Sequence, residues 1–274
     1  YKSVDKGLVI EFGSSYCADG MNAVDWALAN YPVDVKTIGI MGYAGDYGGD
    51  YAKGVTAAAE ANGLTVAWEY VVPSPEFDVA QAVGLMVTNP VDAYFPAVGP
   101  GHMAAVAGGA FQQGLTPLSM MAAPSFNDAF VREGFALAPL FNSGSMYLMA
   151  FVAPYEAETA GHATMRATFT AMGIDSANTF LVAGWASQHH LKGVLEAANK
   201  GGDLTRAGIR RAAGSVYVDS DGMMPQRELG QNRADAESFI AVPDGTIASG
   251  VKLLAGNYVG PSAGGYDWES GPCS

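Results

Sequence analysis

The sequence predicts an α/β fold in which a parallel sheet is covered by helices on both faces. Three observations support this class. Short apolar segments of strand length alternate with segments of helical periodicity, several of them rich in alanine. Glycines close most of the helical segments. The apolar segments lack regular polar alternation, which is typical of strands buried on both faces. Because the connections are short, each strand–helix–strand unit is expected to form a right-handed crossover.

The repeating unit is clearest in the first half of the chain. The predicted strands are 36–42, 64–72, 91–98 and 116–122, and the predicted helices are 20–30, 50–63, 75–89 and 100–114. Asp50 is the predicted N-cap of the second helix, and Gly63 marks its end. Ser125 to Asp128 match a Ser-x-x-Asp capping box. Asp128 is therefore interpreted as a cap of the next helix and not as a binding carboxylate.

The second half of the chain has a mostly helical pattern. Residues 145–173 predict a long helix bent near Pro154. Residues 177–202 predict a second helix, whose buried stripe contains Leu191, Val194 and Leu195. A third, shorter helix is predicted at 204–214, and strands joined by turns follow it.

The composition favours a globular chain and argues against polyanionic partners. Of the 274 residues, 49% are hydrophobic and 15% are charged, so two lobes with sizeable cores can form. The formal net charge of −13 repels phosphate groups, which argues against nucleic acid or an anionic membrane as partner. No apolar run reaches the roughly 20 residues of a membrane span. Any export signal is expected outside this sequence.

The cysteines and histidines do not predict a metal or cofactor site. Cys17 and Cys273 have no zinc-like spacing; in an oxidising compartment they either pair with each other or remain two thiols. The four histidines are scattered, and the adjacent His189 and His190 point to different sides of a helix. No nucleophile elbow, Cys–His signature or pair of catalytic carboxylates can be identified. We therefore expect no cofactor, no metal and no enzymatic activity.

Three loops follow the predicted strands at the edge where parallel sheets bind ligands: GYAGDYGGD, AVGPGH and MMAAPS. Their glycines allow close backbone approach, and Tyr47 offers a rigid apolar face with a polar tip. The loops contain neither a phosphate-binding GxxxxGK[ST] motif nor a dinucleotide fingerprint. From these residues alone, a ligand site and a plain turn with an exposed tyrosine both remain open.

Three segments, taken in order, carry a family resemblance. TIGIMGYAGDYGGDYAKGVTAAAEANGLTV combines an apolar strand, a loop close to Asp-x-Tyr-Gly, an alanine-rich helix and Gly-x-x-Val. DAYFPAVGPGHMAAVAGGAFQQGL closes on Gly-Leu, and VAGWASQHHLKGVLEAANKGGDLTRAGIRRA contains Gly-aromatic-Ala. Over residues 8–255, their order and spacing resemble the leucine/isoleucine/valine-binding family of ABC-transporter substrate-binding proteins, which has the type I periplasmic-binding fold.

The resemblance implies two Rossmann-like lobes of parallel sheet with helices on both faces, joined by a hinge. It assigns residues 1–30 to the crossover and first helix of the second lobe, 31–142 to its βα units, 143–218 to first-lobe helices and the return to the hinge, and 219–274 to second-lobe strands and the C-terminal tail. Family members begin with first-lobe units that have no counterpart here. About the first third is therefore expected to be missing, which would leave the helices of 147–213 an apolar face without partner strands in this chain.

The resemblance also implies ligand contacts. Tyr47 matches the tyrosine after the first strand, and Trp185 matches the aromatic of Gly-aromatic-Ala; the alternatives are an exposed loop for Tyr47 and core packing for Trp185. Gly99 stands where an aromatic often follows the second strand. Ala123 stands close to an acid that pairs the ammonium of amino-acid ligands. Further expected contacts are Tyr16, Pro100, His102 and Met121.

The function implied is capture of a small solute between two lobes and its delivery to ABC permease subunits. An ammonium buried without a carboxylate is costly, so Ala123 favours a bulky, apolar or aromatic carboxylic acid over a simple amino acid. A branched-chain amino-acid binder and a ligand-sensing domain of the same fold are the alternatives. The protein is expected outside the cytoplasm, in the periplasm or as a cell-surface lipoprotein, and to be a monomer when complete. In this family the C-terminal tail can return towards the crossover, which would bring Cys273 to Cys17.

Overall fold

The computed structural model describes residues 13–214, 216–224, 227–228 and 236–273. The chain divides into two compact units. One contains Ser15–Ala150 and the described residues from Ala236 onwards, and the other contains the described residues of 151–235 together with Gly13 and Ser14. The first part of the predicted crossover, residues 1–12, lies outside the described residues. The unit boundaries at 150/151 and 235/236 fall 8 and 17 residues after the predicted ones at 142/143 and 218/219.

The secondary-structure elements are numbered here in chain order. The strands are β1 Thr37–Tyr43, β2 Thr65–Val72, β3 Ala93–Ala97, β4 Leu118–Ala122, β5 Met146–Ala150, β6 Tyr217–Val218, β7 Arg227–Glu228, β8 Ser238–Pro243 and β9 Val251–Tyr258. The helices are α1 Tyr16–Asn30, α2 Gly48–Ala61, α3 Val79–Thr88, α4 Pro100–Gln112, α5 Ala138–Phe141, α6 Ala160–Ala171, α7 Thr179–Lys200, α8 Arg206–Ala213 and α9 Pro261–Gly264.

The larger unit is built on a seven-stranded sheet in the order β2-β1-β3-β4-β5-β8-β9. The first five strands are parallel, and β8 and β9 are added antiparallel at one edge. The four predicted strands are found with their ends within two residues of the predicted positions. The predicted α/β class with a parallel sheet is therefore confirmed.

The central strands of this sheet are buried on both faces. On one face Ile38, Ile40 and Phe95 belong to a core that also contains residues of α1 and α2. Because successive side chains of a strand point to opposite faces, their neighbours Met41 and Tyr94 point to the other face, and they are buried as well. This double burial explains why the strands show no polar alternation.

Helices α1 and α2 pack closely because glycines lie at their contact. A Cβ atom on Gly54 would collide with the carbonyl group of Cys17, and one on Gly20 would collide with backbone atoms of Tyr51 and Val55. No side chain fits at either position, so the backbones approach more closely than alanine would allow. The first turn of α1 is thereby fixed beside the first turns of α2, which follow the GYAGDYGGD loop.

The C-terminal strands are attached to α1 by a buried amide. The Asn22 side chain is fully buried; its Nδ2 donates to the carbonyl oxygens of Ala236 (2.7 Å) and Tyr258 (3.2 Å) and to Ser238 Oγ (2.8 Å). Its Oδ1 accepts from the backbone N–H of Gly260 at 2.8 Å. A single side chain thus satisfies backbone groups from both ends of the β8–β9 hairpin, which locks the returning segment onto α1.

The long helix predicted for residues 145–173 is wrong in its first half. Met146–Ala150 form β5, which pairs parallel with β4 and antiparallel with β8, and Pro154 lies outside any helix. A short run of Met, Tyr and Leu is compatible with helix and strand alike. Here the two neighbouring strands supply its backbone hydrogen bonds and decide the conformation.

Three further expectations are corrected. Asp50 is not an N-cap: the cap position of α2 is Tyr47, and Asp50 lies in the first turn, where it forms an ion pair with Lys53 (2.8 Å). Ser125 does not open a helix. It ends a 3-10 turn, Ala123–Ser125, and the side chain of Asn127 caps the following turn, Asp128–Val131. Asp128 lies instead 3.7 Å from Arg132.

The smaller unit contains α6, α7 and α8 and the antiparallel pair β6–β7. Its main core gathers Val152, Met165, Val182 and Met223. The predicted stripe of α7 is only partly right: Val194 is buried, whereas Leu191 and Leu195 are 49% and 39% exposed. Within the described residues, no helix has the length and apolar character needed to cross a membrane.

Candidate functional site

The loop between β1 and α2 is shaped by glycines at two positions. Gly45 has a φ of 111°, a conformation that other residues rarely adopt. Gly48 begins α2, and a Cβ atom there would collide with the backbone of Tyr43 and with the carbonyl oxygen of Ala97. The loop can therefore lie directly on the carboxyl ends of β1 and β3. Tyr43 and Tyr47 are held at this edge of the sheet.

Tyr47 is half-buried, and its hydroxyl is bound by the protein. The hydroxyl lies 3.2 Å from the carbonyl oxygen of Val98, to which it donates, and 3.1 Å from Ser125 Oγ. The ring packs against that of Tyr16, with centroids 4.9 Å apart and planes inclined by 58°. Burial raises the pKa of the Tyr47 phenol well above its ordinary value, and the Ser125 hydrogen bond opposes only part of that rise. Tyr47 is accordingly neutral at physiological pH.

A second group of rings lies beside it. The Tyr43 hydroxyl and His102 Nδ1 are 2.6 Å apart, and the imidazole stacks on Phe77 with centroids 4.9 Å apart and planes inclined by 23°. Tyr43 contacts Phe77 edge-on at 5.8 Å and approaches Tyr47 at 6.4 Å. Tyr16, Tyr43, Tyr47, Phe77 and His102 form one continuous cluster of rings, called here the aromatic surface.

Gly99 makes room for this arrangement. It precedes α4, and a Cβ atom at Gly99 would lie 3.0 Å from the Tyr43 hydroxyl. The family resemblance predicts that an aromatic often stands at this position. In this structure Tyr43, from the neighbouring strand, occupies the adjoining space. Pro100 follows as the first residue of α4 and is partly exposed at the same edge.

Met121 and Ala123 are less accessible than their predicted role suggests. Met121 is fully buried in β4, and Ala123 is 4% exposed in the turn that follows. Neither side chain is part of the aromatic surface. Their predicted contact with a ligand stays a prediction, and so does that of Trp185, which lies in the smaller unit, partly buried, with its ring edge-on to Phe169 at 5.5 Å.

Phe77 and Ser125 were missed by the sequence reasoning. Phe77 is a buried aromatic in the polar turn SPEFD before α3, and an isolated apolar residue in such a turn is a usable signal. Ser125 was interpreted as a helix cap because of the acid three residues later. Its actual partners, Pro96, Val98 and Tyr47, are far away in sequence, so no local pattern could identify them.

Two carboxylates lie near Tyr16 of the aromatic surface. Asp46 is exposed on the loop, and Asp19 is buried on α1, where it accepts a hydrogen bond from Ser238 Oγ at 2.6 Å. Burial, and to a smaller degree the charges of Asp19 and Asp46, raise the pKa of the Tyr16 phenol to about 12. Among the described residues no three His, Cys, Asp or Glu side chains are placed to hold a metal ion.

The structure pairs Cys17 with Cys273 in a disulfide whose Cα atoms are 6.1 Å apart. Cys17 lies in the first turn of α1, directly after Tyr16. The backbone N–H of Cys273 donates to the hydroxyl of Tyr266 at 3.0 Å, and Tyr266 and Trp268 pack on each other in the tail. The bridge therefore attaches this tail to the residue that follows Tyr16 of the aromatic surface.

A protein-family profile and many solved structures match this chain. The sequence profile described as periplasmic binding protein matches residues 4–246. No curated protein matches the chain at a significant level. Many solved structures do match it.

Three of these structures illustrate the likeness. A fatty acid ABC transporter substrate-binding protein from Thermomonospora curvata superposes with a TM-score of 0.85 at 22% identity, covering 96% of this chain and 67% of that one. An ABC transporter substrate-binding protein from Aeropyrum pernix gives 0.70 at 14% identity, covering 92% and 67%. A branched-chain amino acid ABC transporter protein from Thermus thermophilus with bound valine gives 0.69 at 12% identity, covering 92% and 67%. The chain thus spans about two thirds of each, and the predicted type I periplasmic-binding fold is confirmed.

Proposed function

The chain belongs to the periplasmic binding protein family, and from this membership we propose that it captures a small organic solute outside the cytoplasm and delivers it to an ABC permease. The solute is bound without chemical change, as expected of a substrate-binding protein and not of an enzyme. We propose that the aromatic surface at the carboxyl ends of β1 and β3 contacts the solute. This edge is where open parallel sheets bind ligands.

The ligand we propose is a bulky, apolar or aromatic carboxylic acid. The observation that carries this proposal is the aromatic surface itself, in which the hydroxyls of Tyr43 and Tyr47 are hydrogen-bonded within the protein. By the family resemblance, Ala123 stands close to the position where amino-acid binders carry an acid, and alanine offers no carboxylate to pair an ammonium. An unpaired buried ammonium would cost several kcal/mol. The fold-level likeness to a protein described as binding fatty acid supports the same ligand class.

A branched-chain amino acid is the second candidate, and one observation favours it. Asp46 is an exposed carboxylate on the same loop as Tyr47, and its charge contributes to the raised pKa of the Tyr16 phenol. Asp46 offers the ammonium of an amino acid the carboxylate partner that Ala123 lacks. The solved relative with bound valine has the same fold. The two candidates differ in whether Asp46 is needed for binding.

The test begins with the protein expressed from its complete gene. Native mass spectrometry of the purified protein weighs any retained ligand, and its recovery unaltered speaks against turnover. Titration calorimetry then compares octanoate, phenylacetate and leucine. We expect octanoate or phenylacetate to bind at least tenfold more tightly than leucine, equivalent to about 1.4 kcal/mol. Tighter binding of leucine would overturn the proposed ligand class.

Asp46→Asn separates the two candidates, with Asp50→Asn as matched control. Asp50 is a carboxylate at the start of α2 that is already paired with Lys53. For a carboxylic acid ligand, neither variant weakens binding. For an amino acid held by Asp46, Asp46→Asn loses the ammonium partner and weakens leucine binding tenfold or more, whereas Asp50→Asn does not.

A further inference from the structure

Ser125 lies beneath the aromatic surface and is completely buried. Its Oγ accepts from the backbone N–H of Val98 at 3.1 Å and lies 2.9 Å from the carbonyl oxygen of Val98 and 3.2 Å from that of Pro96. The fourth neighbour is the hydroxyl of Tyr47, at 3.1 Å. One buried serine therefore ties the end of β3 to the tyrosine that precedes α2.

The hydroxyl groups of Ser125 and Tyr47 keep no free proton that could be donated to a ligand. A serine hydroxyl has one proton and accepts two hydrogen bonds. If Ser125 donates to a carbonyl oxygen of Val98 or Pro96, it accepts from the Val98 N–H and from Tyr47. If Ser125 instead donates to the Tyr47 oxygen, the Tyr47 proton is directed to the Val98 carbonyl, 3.2 Å away. In either arrangement the Tyr47 hydroxyl is turned towards the sheet and satisfied there.

The neighbouring tyrosine is used in the same way. The hydroxyl of Tyr43 lies 2.6 Å from Nδ1 of His102, and the His102 ring is stacked on Phe77. Both hydroxyls of the loop tyrosines are thus engaged by the protein. Tyr47 therefore presents to a ligand the carbon surface of its ring and no free donor, whereas the Tyr43–His102 pair shares one proton and keeps at least one further O–H or N–H.

We infer that Ser125 is a positioning residue for Tyr47, and that the Tyr47 ring takes the hydrocarbon part of the ligand while the carboxylate lies away from that ring. This inference rests on the proposed function, since it assigns an orientation to the proposed carboxylic acid. Ser125 fixes the plane of the Tyr47 ring through the hydroxyl. The ring in turn packs on Tyr16 at 4.9 Å, so the contact area for an alkyl or aryl group depends on a residue the ligand does not touch.

The experiment measures the affinity for hexanoate, octanoate and decanoate in wild type, Ser125→Ala, Tyr47→Phe and the double variant, using the complete protein. Burial of each methylene is expected to strengthen wild-type binding by about fourfold. Both single variants break the same contact. Each should weaken octanoate binding by about three- to tenfold, and the double variant should be no weaker than Tyr47→Phe, because coupled residues are non-additive.

The decisive measurement is how the loss of affinity depends on the length of the carboxylic acid, because a purely structural role of Ser125 would not change that dependence. With the hydrocarbon on the Tyr47 ring, the loss in Ser125→Ala and Tyr47→Phe grows from hexanoate to decanoate. A loss equal at all lengths would mean that the Tyr47 hydroxyl meets the carboxylate, and it would overturn the orientation. Ser119→Ala is the matched control: it removes a buried serine hydroxyl at the opposite end of β4 and should leave all three affinities unchanged.

The outcomes distinguish this inference from the proposed function. If wild type binds none of the carboxylates, the proposed ligand class fails and the orientation fails with it. If wild type binds them but the losses in Ser125→Ala and Tyr47→Phe add up, only the positioning role is overturned. If Ser125→Ala does not fold, the chain-length dependence of Tyr47→Phe alone decides the orientation.

Discussion

The rings of Tyr16 and Tyr47 lie 4.9 Å apart, inclined by 58°. Tyr16 is the first residue of α1, and Tyr47 immediately precedes α2. The two helices pack through Gly20 and Gly54, so the close helix contact is also what brings the two tyrosines together. A buried phenol between carboxylates has a consequence that can be measured at high pH.

Tyr16→Phe should reduce the loss of stability that the protein shows in alkali. The folded state holds the pKa of Tyr16 at about 12, above the ordinary value of 10.0, mainly because the phenol is buried. The folded state therefore favours the neutral form; its advantage is present below pH 10 and is lost as the pH rises through 12. Urea unfolding between pH 8 and 11.5 should show a shallower decline in Tyr16→Phe. Identical slopes in both proteins would contradict the assignment.

The regular part of this fold was predictable because local and long-range signals agree there. Each of the four predicted strands is a short apolar run, and the helices that follow β1 and β3 end near a glycine. Gly63 and Gly114, with φ of 67° and 76°, provide the left-handed residue after α2 and α4. Apolar runs, helix periodicity and glycine stops all favour the same elements, so their ends were placed within a few residues.

Two of the failures, at 146–150 and at Ser125, share one physical cause, which is that distant partners decided the outcome. Met146–Ala150 became a strand because β4 and β8 lie on either side of it. Ser125 matched a capping box, yet the hydroxyl is bound to Val98 and Tyr47. The loop tyrosines were recognisable as site candidates, but the direction of their hydroxyls depends on residues that are 51 to 78 positions away.

The disulfide should make a large contribution to stability. It closes a loop between residues 256 positions apart, and removal of a native disulfide typically costs about 2–5 kcal/mol. Thiol titration of the folded, unreduced protein should find no free sulfhydryl. Cys273→Ser should lower the free energy of unfolding by about 2–5 kcal/mol. Ser270→Ala, an exposed change in the same tail, should change the free energy of unfolding by no more than about 0.5 kcal/mol. Two titratable thiols would exclude the bridge.

Asn22→Ala should destabilise the larger unit more than any surface change on the same helix. It leaves the Gly260 N–H and the carbonyl oxygens of Ala236 and Tyr258 without their buried partner. An unsatisfied buried group costs about 1–3 kcal/mol, so we expect a loss of roughly 3 kcal/mol or more in urea unfolding. Asn30→Ala is the control, since the Asn30 side chain is exposed and bonds only within α1. A similar small effect of both variants would argue against the lock between α1 and β8–β9.

Gly99→Ala tests whether the position of Tyr43 matters for binding. The new methyl group would lie 3.0 Å from the Tyr43 hydroxyl, which is tighter than ordinary contact, so Tyr43 must move and its 2.6 Å bond to His102 must lengthen. The backbone at Gly99, with φ of −71°, accepts alanine, and the fold should survive with a modest loss of stability because alanine is a poorer N-cap than glycine.

Gly101→Ala provides the control for Gly99→Ala, because it adds the same methyl group in the first turn of α4, where no atom apart from the chain neighbours and the helix's own backbone lies within 4 Å of it. By calorimetry, Gly99→Ala should bind octanoate about three- to tenfold more weakly than wild type, and Gly101→Ala should bind it equally well. The loss comes from displacing one ring of the aromatic surface, whose contact with the ligand depends on its place between Tyr47 and Phe77. If Gly99→Ala keeps the wild-type affinity, Tyr43 packs within its own unit and contributes nothing to recognition.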